Sequence, residues 1–291
     1  MKKKKVLEVV EAFGGGVFTV INDLVNGLND EYEVTIAYSL RNQTPQNFEK
    51  KFKGNVKFVK IENFTREINP KKDLQALKEL KQLIKKEKPD IVHLHSSKAG
   101  VIGRLATMNG KYKMFYNPHG FSFLKQDDSK FKRSCYKVIE KIMTLLNPKC
   151  TIIGCSEGEY EEALKLSKNS ICINNGINID ELKEKNKNFE EHKTDLNNLK
   201  ICTIGRIGYQ KNPKLFNEIA KSFPNIEFTW IGDGELKTEL NSKNIITTGW
   251  KDRNEVLKDL NNKDVFILTS LWERFTNFIA WGNVYEKDMY C

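Results

Sequence analysis

Arg206 and Lys211 stand five residues apart in "TIGRIGYQKNP", between an apolar run and a helical pattern. A guanidinium and an ammonium converging on a helix N-terminus can grip a diphosphate; the plain alternative is a solvated pair. "EAFGGGVF" places three glycines between a strand and a helix. Such glycines let backbone N–H groups approach an anion or a sugar, although a tight turn alone would want one of them. In "HLHSSKAG", His93 and His95 share one strand face, with Ser96, Ser97 and Lys98 at the strand's mouth. Two histidines suggest a metal pair, but no Asp, Glu or Cys nearby in sequence completes it. A polar substrate rim, or plain strand polarity with the serines capping the next helix, accounts for them better. His119, between Pro118 and Gly120 in "YNPHGFSF", sits at a bend and is either structural or a cleft residue.

The elements that must position these residues alternate along the chain. "KVLEVV" is a strand, and the following segment places Val17, Val20, Ile21, Leu24, Val25 and Leu28 at helical spacing. "EVTIAY" and "VKFVKI" are strands, and a helix starts at Pro70 and closes in lysines, which suit its C-terminal dipole. Strand "DIVHLH", helix "KAGVIGRLATMN", strand "KMFYN", a helix from about Asp128 to Leu146, strand "TIIGCS", helix "EGEYEEALKL" and strand "ICINNG" follow. A polar stretch then marks a linker over 177–198. The rhythm resumes with strand "KICTIG", helix "NPKLFNEIAKSF", strand "IEFTWIG", helix "GELKTELNSK", strand "NIITTGW", helix "RNEVLKDLNN" and strand "DVFILTS". This is the pattern of α/β proteins with parallel sheets. Two doubly wound, Rossmann-like domains are expected, over residues 1–176 and 199–291, with a cleft between them. Loops at the carboxyl ends of the strands should carry function.

Bulk properties narrow the classes. The 291 residues are 39% hydrophobic and 30% charged, as in a soluble globular chain. No apolar run reaches the ~18 residues of a membrane span, and the apolar start is too short for a secretory leader, so a cytoplasmic protein is expected. Six scattered cysteines lack metal spacing; Cys155, Cys172 and Cys202 lie in apolar runs and read as buried reduced thiols. A net charge of +10 favours an anionic partner. Nucleic acid is not the expected one, because no recognition helix or aromatic-basic motif is present.

The stretches "VHLHSSKAGVIGRLA", "NPHGF", "NNGIN", "GRIGYQKNP", "WIGDGEL", "TGW" and "LTSLWE", in this order, resemble the family-4 retaining glycosyltransferases of GT-B fold, in particular bacterial members that build capsule, exopolysaccharide or O-antigen. The resemblance implies a nucleotide-sugar donor held in the second domain and an acceptor, a lipid-linked glycan, approached from the first. Arg206 and Lys211 match the residues that grip the donor pyrophosphate. His119 matches the histidine near the transferred sugar, and Glu273 a glutamate on its hydroxyls. Gly15 and Gly16 match a loop facing donor phosphates and acceptor, while Gly249 and Trp250 lie where the family places the nucleobase. His95, Ser96 and Lys98 would then rim the acceptor side. The resemblance also implies retention of anomeric configuration with no cofactor and no obligatory metal, the positive pair stabilising the departing diphosphate. The basic surface fits loose attachment to the inner face of the cell membrane. A non-catalytic chain that binds a glycan-lipid or a protein is the alternative.

The ending departs from the pattern. After Glu273 the chain reads "RFTNFIAWGNVYEKDMYC", without helical or strand period. With synonymous codons chosen so that Glu273 and Arg274 are written GAA AGG, deleting one A re-reads the segment as Glu-Gly-Leu-Pro-Ile-Ser-Leu-Leu-Gly-Ala-Met, close to what the family carries. The expectation is therefore a one-base insertion, with 274–291 out of frame, roughly 60 to 90 residues of strand-helix units lost, and apolar surface bared along Val265–Thr269. A chain of this kind is expected to be poorly soluble and inactive.

Overall fold

The computed structural model describes residues 3–41, 43–108, 110–176, 179, 183–184, 194–195, 197–271 and 288–290. Two compact units are present, Met1–Gly176 and Ile177–Cys291. Most of the expected linker, and Glu273 with the segment following it to residue 287, lie outside the described residues.

In the first unit the strands are β1 (Lys4–Phe13), β2 (Tyr32–Leu40), β3 (Lys57–Lys60), β4 (Ile91–His95), β5 (Lys113–Asn117), β6 (Thr151–Gly154) and β7 (Ser170–Cys172). They form one sheet in the order β3-β2-β1-β4-β5-β6-β7, and every pairing is parallel. Helices α1 (Gly15–Leu28), α2 (Pro70–Glu87), α3 (Ser97–Thr107), α4 (Lys130–Leu146) and α5 (Glu157–Leu164) supply crossovers. Their starts are locally encoded: Asn69 caps α2 ahead of Pro70, and Ser129 and Ser156 cap α4 and α5. Apolar clusters form around Phe13, Phe18, Ile21 and Val25 and around Leu7, Val9, Leu80 and Leu94. The strand order reverses between β1 and β4, which is where doubly wound sheets open a crevice at their carboxyl ends.

The second unit contains β8 (Lys200–Ile204), α6 (Pro213–Ser222), β9 (Glu227–Ile231), β10 (Ile245–Thr247), α7 (Arg253–Asn261), β11 (Val265–Ile267) and β12 (Asp288–Tyr290). Its parallel sheet runs β10-β9-β8-β11-β12. Two expectations are corrected here. "GELKTELNSK" is no helix: only a 3₁₀ turn forms at Lys237–Glu239. The Asn217 side chain accepts hydrogen bonds from the backbone N–H groups of Asn241 and Ser242, both at 2.9 Å, and holds that stretch out of helical geometry. The ending also contains a strand, since Asp288–Tyr290 pairs with β11 residue for residue. An open apolar depression of about 420 Å³ lies beside Ile267 and Leu268, lined also by Leu215, Ile219 and Phe223. Of the three cysteines expected inside, Cys155 and Cys202 are buried but Cys172 is exposed, because β7 is an edge strand.

Candidate active site

Glu8 stands in the middle of an apolar strand, opposite His93 in the β1–β4 register. Side chains of residues two apart share a face, so Glu8, His93 and His95 meet on one side of the sheet. One carboxylate oxygen of Glu8 lies 2.7 Å from His95 Nε2 and 3.1 Å from His93 Nδ1. His95 Nδ1 is in turn 2.9 Å from Nε2 of His119, and these two rings stack with centroids 5.2 Å apart. Glu8 and His95 are wholly buried. Burial alone would raise the Glu8 pKa, but the charge and hydrogen bond of His93 and the hydrogen bond of His95 outweigh it and bring it down to about 2. Burial, reinforced by His93, pushes His95 down to about 4 against the pull of Glu8. Near neutral pH the carboxylate is therefore ionised and His95 is neutral. The single proton of His95 belongs on Nε2, facing the carboxylate, so its Nδ1 accepts from Nε2–H of His119.

Ligand atoms of Glu8, His93 and His95 lie within 4.8 Å of one another, as those sharing a metal ion do. Sequence proximity missed the third member, because Glu8 is 87 residues from His95. The carboxylate nonetheless accepts from both imidazoles, so hydrogen bonding alone accounts for the cluster. Glu8 Oε1, His93 Nε2 and Ser96 Oγ are buried with no hydrogen-bond partner among the described residues.

The turn bearing His119 is fixed from behind. His119 has φ +47° and Gly120 φ +104°, both left-handed. Glu159, near the start of α5, accepts from Gly120 N at 2.7 Å and from Cys155 N at 2.9 Å, tying this turn to the end of β6. Neither Glu8 nor Glu159 was singled out from sequence; the signal for Glu8 was a lone carboxylate inside "VLEVV".

The acceptor-side residues fall differently from expectation. His95 is fully buried behind His119 and does not form a rim. Lys98 is turned to the protein, with Nζ 2.7 Å from the Thr65 carbonyl and 2.8 Å from Asp73. Ser96 precedes α3 with φ +79° and its side chain makes no cap bond; Ser97 Oγ accepts from Ser122 N at 3.3 Å. Capping is thus not the role of these serines. Of the three glycines at the start of α1, Gly14 packs against Gln43, where an added Cβ would come within 3.2 Å. Gly15 takes φ +55°, and Gly16 faces open space.

In the second unit, the loops after β8 and β9 are stitched backbone to backbone. Gly205 N donates to Ile231 O at 3.0 Å, Ile207 N to Asp233 O at 2.9 Å, and Leu236 N to Ile207 O at 3.1 Å. A Cβ on Gly232 would lie 2.1 Å from Gly205 O, and one on Gly234 2.3 Å from Ile207 O, so both positions exclude side chains. On this platform Arg206 is exposed and pairs through Nε with Glu235 at 2.8 Å. Lys211 closes a 3₁₀ turn ahead of α6, and its side chain lies over Gly205, where a Cβ would meet Cε at 2.9 Å. Asn212 caps α6 and Pro213 opens it. Gly249, with φ +75°, and the half-exposed Trp250 follow β10.

Two parallel-sheet units with polar and glycine-rich loops after their strands are the architecture that GT-B glycosyltransferases share. Residues 14–181 match the model for Glycosyltransferase Family 4, and residues 184–276 that for Glycosyl transferases group 1. The chain belongs to glycosyltransferase family 4. It is 33% identical over 248 residues to the UDP-Gal:alpha-D-GlcNAc-diphosphoundecaprenol alpha-1,3-galactosyltransferase of Escherichia coli, covering 73% of this chain and 60% of that protein's length. An uncharacterized 41.2 kDa protein in the cps region of Klebsiella pneumoniae is 30% identical over 284 residues, covering 93% of this chain and 75% of its own. Among solved structures, Anabaena HepE in complex with UDP and glucose shares the fold at a TM-score of 0.73 and 14% identity, over 98% of this chain and 80% of that one. No helix among the described residues is long and apolar enough to cross a membrane.

Proposed function

We propose that this chain has the donor site of a retaining hexosyltransferase of surface polysaccharide synthesis, an enzyme that moves a sugar from a nucleoside-diphosphate donor to a lipid-linked glycan; the residues after Glu273 that depart from the family pattern decide whether transfer survives. The observation that carries the reading is the Arg206–Lys211 loop. Two cations stand on a rigid glycine platform ahead of a helix N-terminus, a suitable cradle for a diphosphate. In the reaction the bond from the anomeric carbon to phosphate oxygen breaks, a bond to the acceptor oxygen forms on the same face, and the acceptor proton passes to the departing phosphate. Positive charge from Arg206 and Lys211 stabilises that leaving group without need of a metal. His119, held through Nε2 against His95, is proposed to stand beside the transferred sugar. Glu273 is proposed to contact further hydroxyls, and Gly249 and Trp250 to border the nucleobase. The E. coli relative's donor, UDP-Gal, and its diphosphoundecaprenol-linked acceptor are the candidates to try first.

The test offers the purified chain a panel of UDP- and GDP-sugars with a lipid-linked GlcNAc-diphosphate acceptor, and follows donor binding and product separately. Binding with transfer and a retained anomer supports the enzyme. Binding without transfer favours the second reading, a glycan-lipid or protein binding module. Absence of binding to every donor overturns the diphosphate assignment.

A further inference from the structure

Helix α4 carries an apolar stripe on the side away from the sheet of the first unit. Phe131, Cys135, Val138, Ile142 and Leu145 follow one another at spacings of four and three, which at 3.6 residues per turn confines them to a sector about 80° wide. All five are exposed, Phe131 at 80% and Leu145 at 79%; Ile139 and Leu146, also exposed, widen the stripe on one side.

The helix cannot roll to hide this face. On its opposite side Glu140 is buried and receives Arg104 of α3 at 2.6 Å and the Tyr116 hydroxyl of β5 at 2.8 Å, and Arg104 stacks over the Tyr116 ring at 4.4 Å. Arg133 donates to the Phe123 carbonyl at 3.0 Å from the same inner side. Turning α4 would strip a buried carboxylate of its partners.

Charge decides what fits the stripe. The helix contains Lys130, Lys132, Arg133, Lys137 and Lys141, with Glu140 its only acid. By helical angle Lys130, Lys137 and Lys141 flank the stripe on one side and Lys132 on the other, Lys132 being paired with Asp128. A second copy docked stripe to stripe would bring two basic flanks together with no exposed acid on either helix to offset them. An apolar stripe bordered by lysines instead matches an anionic bilayer surface, in which the side chains enter the acyl boundary and the ammonium groups meet phosphates.

We propose that α4 is an interfacial docking helix for anionic lipid, laying Phe131, Val138, Ile142 and Leu145 into the membrane face. This gives a physical surface to the lipid-linked acceptor proposed above, but rests on the helix itself and is read without any sugar transfer. The full chain is sedimented with vesicles of phosphatidylglycerol and phosphatidylcholine, and with phosphatidylcholine alone. Binding is expected to the anionic vesicles, to weaken at least tenfold for F131S/L145S, and to fall with added salt. The substituted residues are exposed, so circular dichroism and Tm should match those of the parent chain. In a companion variant, Ile142→Trp, the emission should shift to the blue with anionic vesicles. Equal binding by F131S/L145S, equal binding to both vesicle types, or no shift at position 142 overturns the proposal. So does a dimer in sedimentation velocity that F131S/L145S abolishes, which would make a second copy the occupant. Failed transfer with intact vesicle binding would count against the enzyme reading alone.

Discussion

Acidification from pH 7 to 4 should loosen the sheet of the first unit, and His95 should account for the loss. Its pKa is 6.5 when free and about 4 in the folded chain. As the pH falls through 6.5 the unfolded chain takes up a proton that the buried imidazole refuses, so stability declines until the folded pKa is reached. At roughly 1.4 kcal/mol for each pH unit, the loss across this window is about 3 kcal/mol. Glu8 adds nothing to the pH dependence above its free value of 4.5. Its own stabilisation is full above that value and is lost only as the pH falls towards about 2. All four tryptophans lie beyond residue 229, so fluorescence does not see this unit. Hydrogen exchange read by mass spectrometry on peptides from β1 and β4 does. Protection there, corrected for intrinsic rates, should fall by about two orders of magnitude between pH 7 and 4. His95→Gln keeps a donor for Glu8 but cannot titrate, and should flatten the dependence. An equal slope in that variant, or undiminished protection at pH 4, would refute the proton arrangement derived for Glu8, His95 and His119.

Further expectations concern packing and the donor loop. Glu140→Ala leaves Arg104 charged and buried, and should cost about 3–5 kcal/mol in urea unfolding followed by circular dichroism. Gly232→Ala combines φ +145° with a Cβ inside van der Waals contact of Gly205 O. It should destabilise the second unit by at least ~2 kcal/mol, read from the fluorescence of buried Trp230. Treatment with EDTA should leave nucleotide affinity unchanged within twofold by titration calorimetry, since the proposed diphosphate grip uses side-chain cations.

Much of this architecture was legible because parallel α/β units announce themselves locally. Apolar runs gave the strands, and Pro70, Ser129, Ser156 and Pro213 stand at helix starts where their side chains act. The departures arise where tertiary contacts outvote local pattern. The "GELKTELNSK" segment contains good helix formers, yet Asn217, more than twenty residues away, captures its backbone. Glu8 was passed over because its partners are contributed by a strand that lies next to it only in the folded sheet. For the same reason His95 and Lys98 read as a polar rim when one is buried under His119 and the other ties α3 to the Thr65 loop. The roles of the "IGDG" glycines were not legible either, because the backbone that Gly232 and Gly234 let approach belongs to the loop after β8, far away in sequence. Helicity of α4 was plain in the sequence, but which of its faces stays uncovered depends on where Glu140 finds Arg104.

Donor affinity tests the central claim most directly. The chain and its Arg206→Ala and Lys211→Ala variants are titrated with UDP and GDP by calorimetry. Each variant removes a charge-assisted contact of roughly 1.5–3 kcal/mol, so affinity for the preferred nucleotide should fall about 10- to 100-fold. Arg206→Ala should lie at the lower end, because Arg206 must leave Glu235 to reach the ligand. Affinities unchanged by both substitutions would contradict the account.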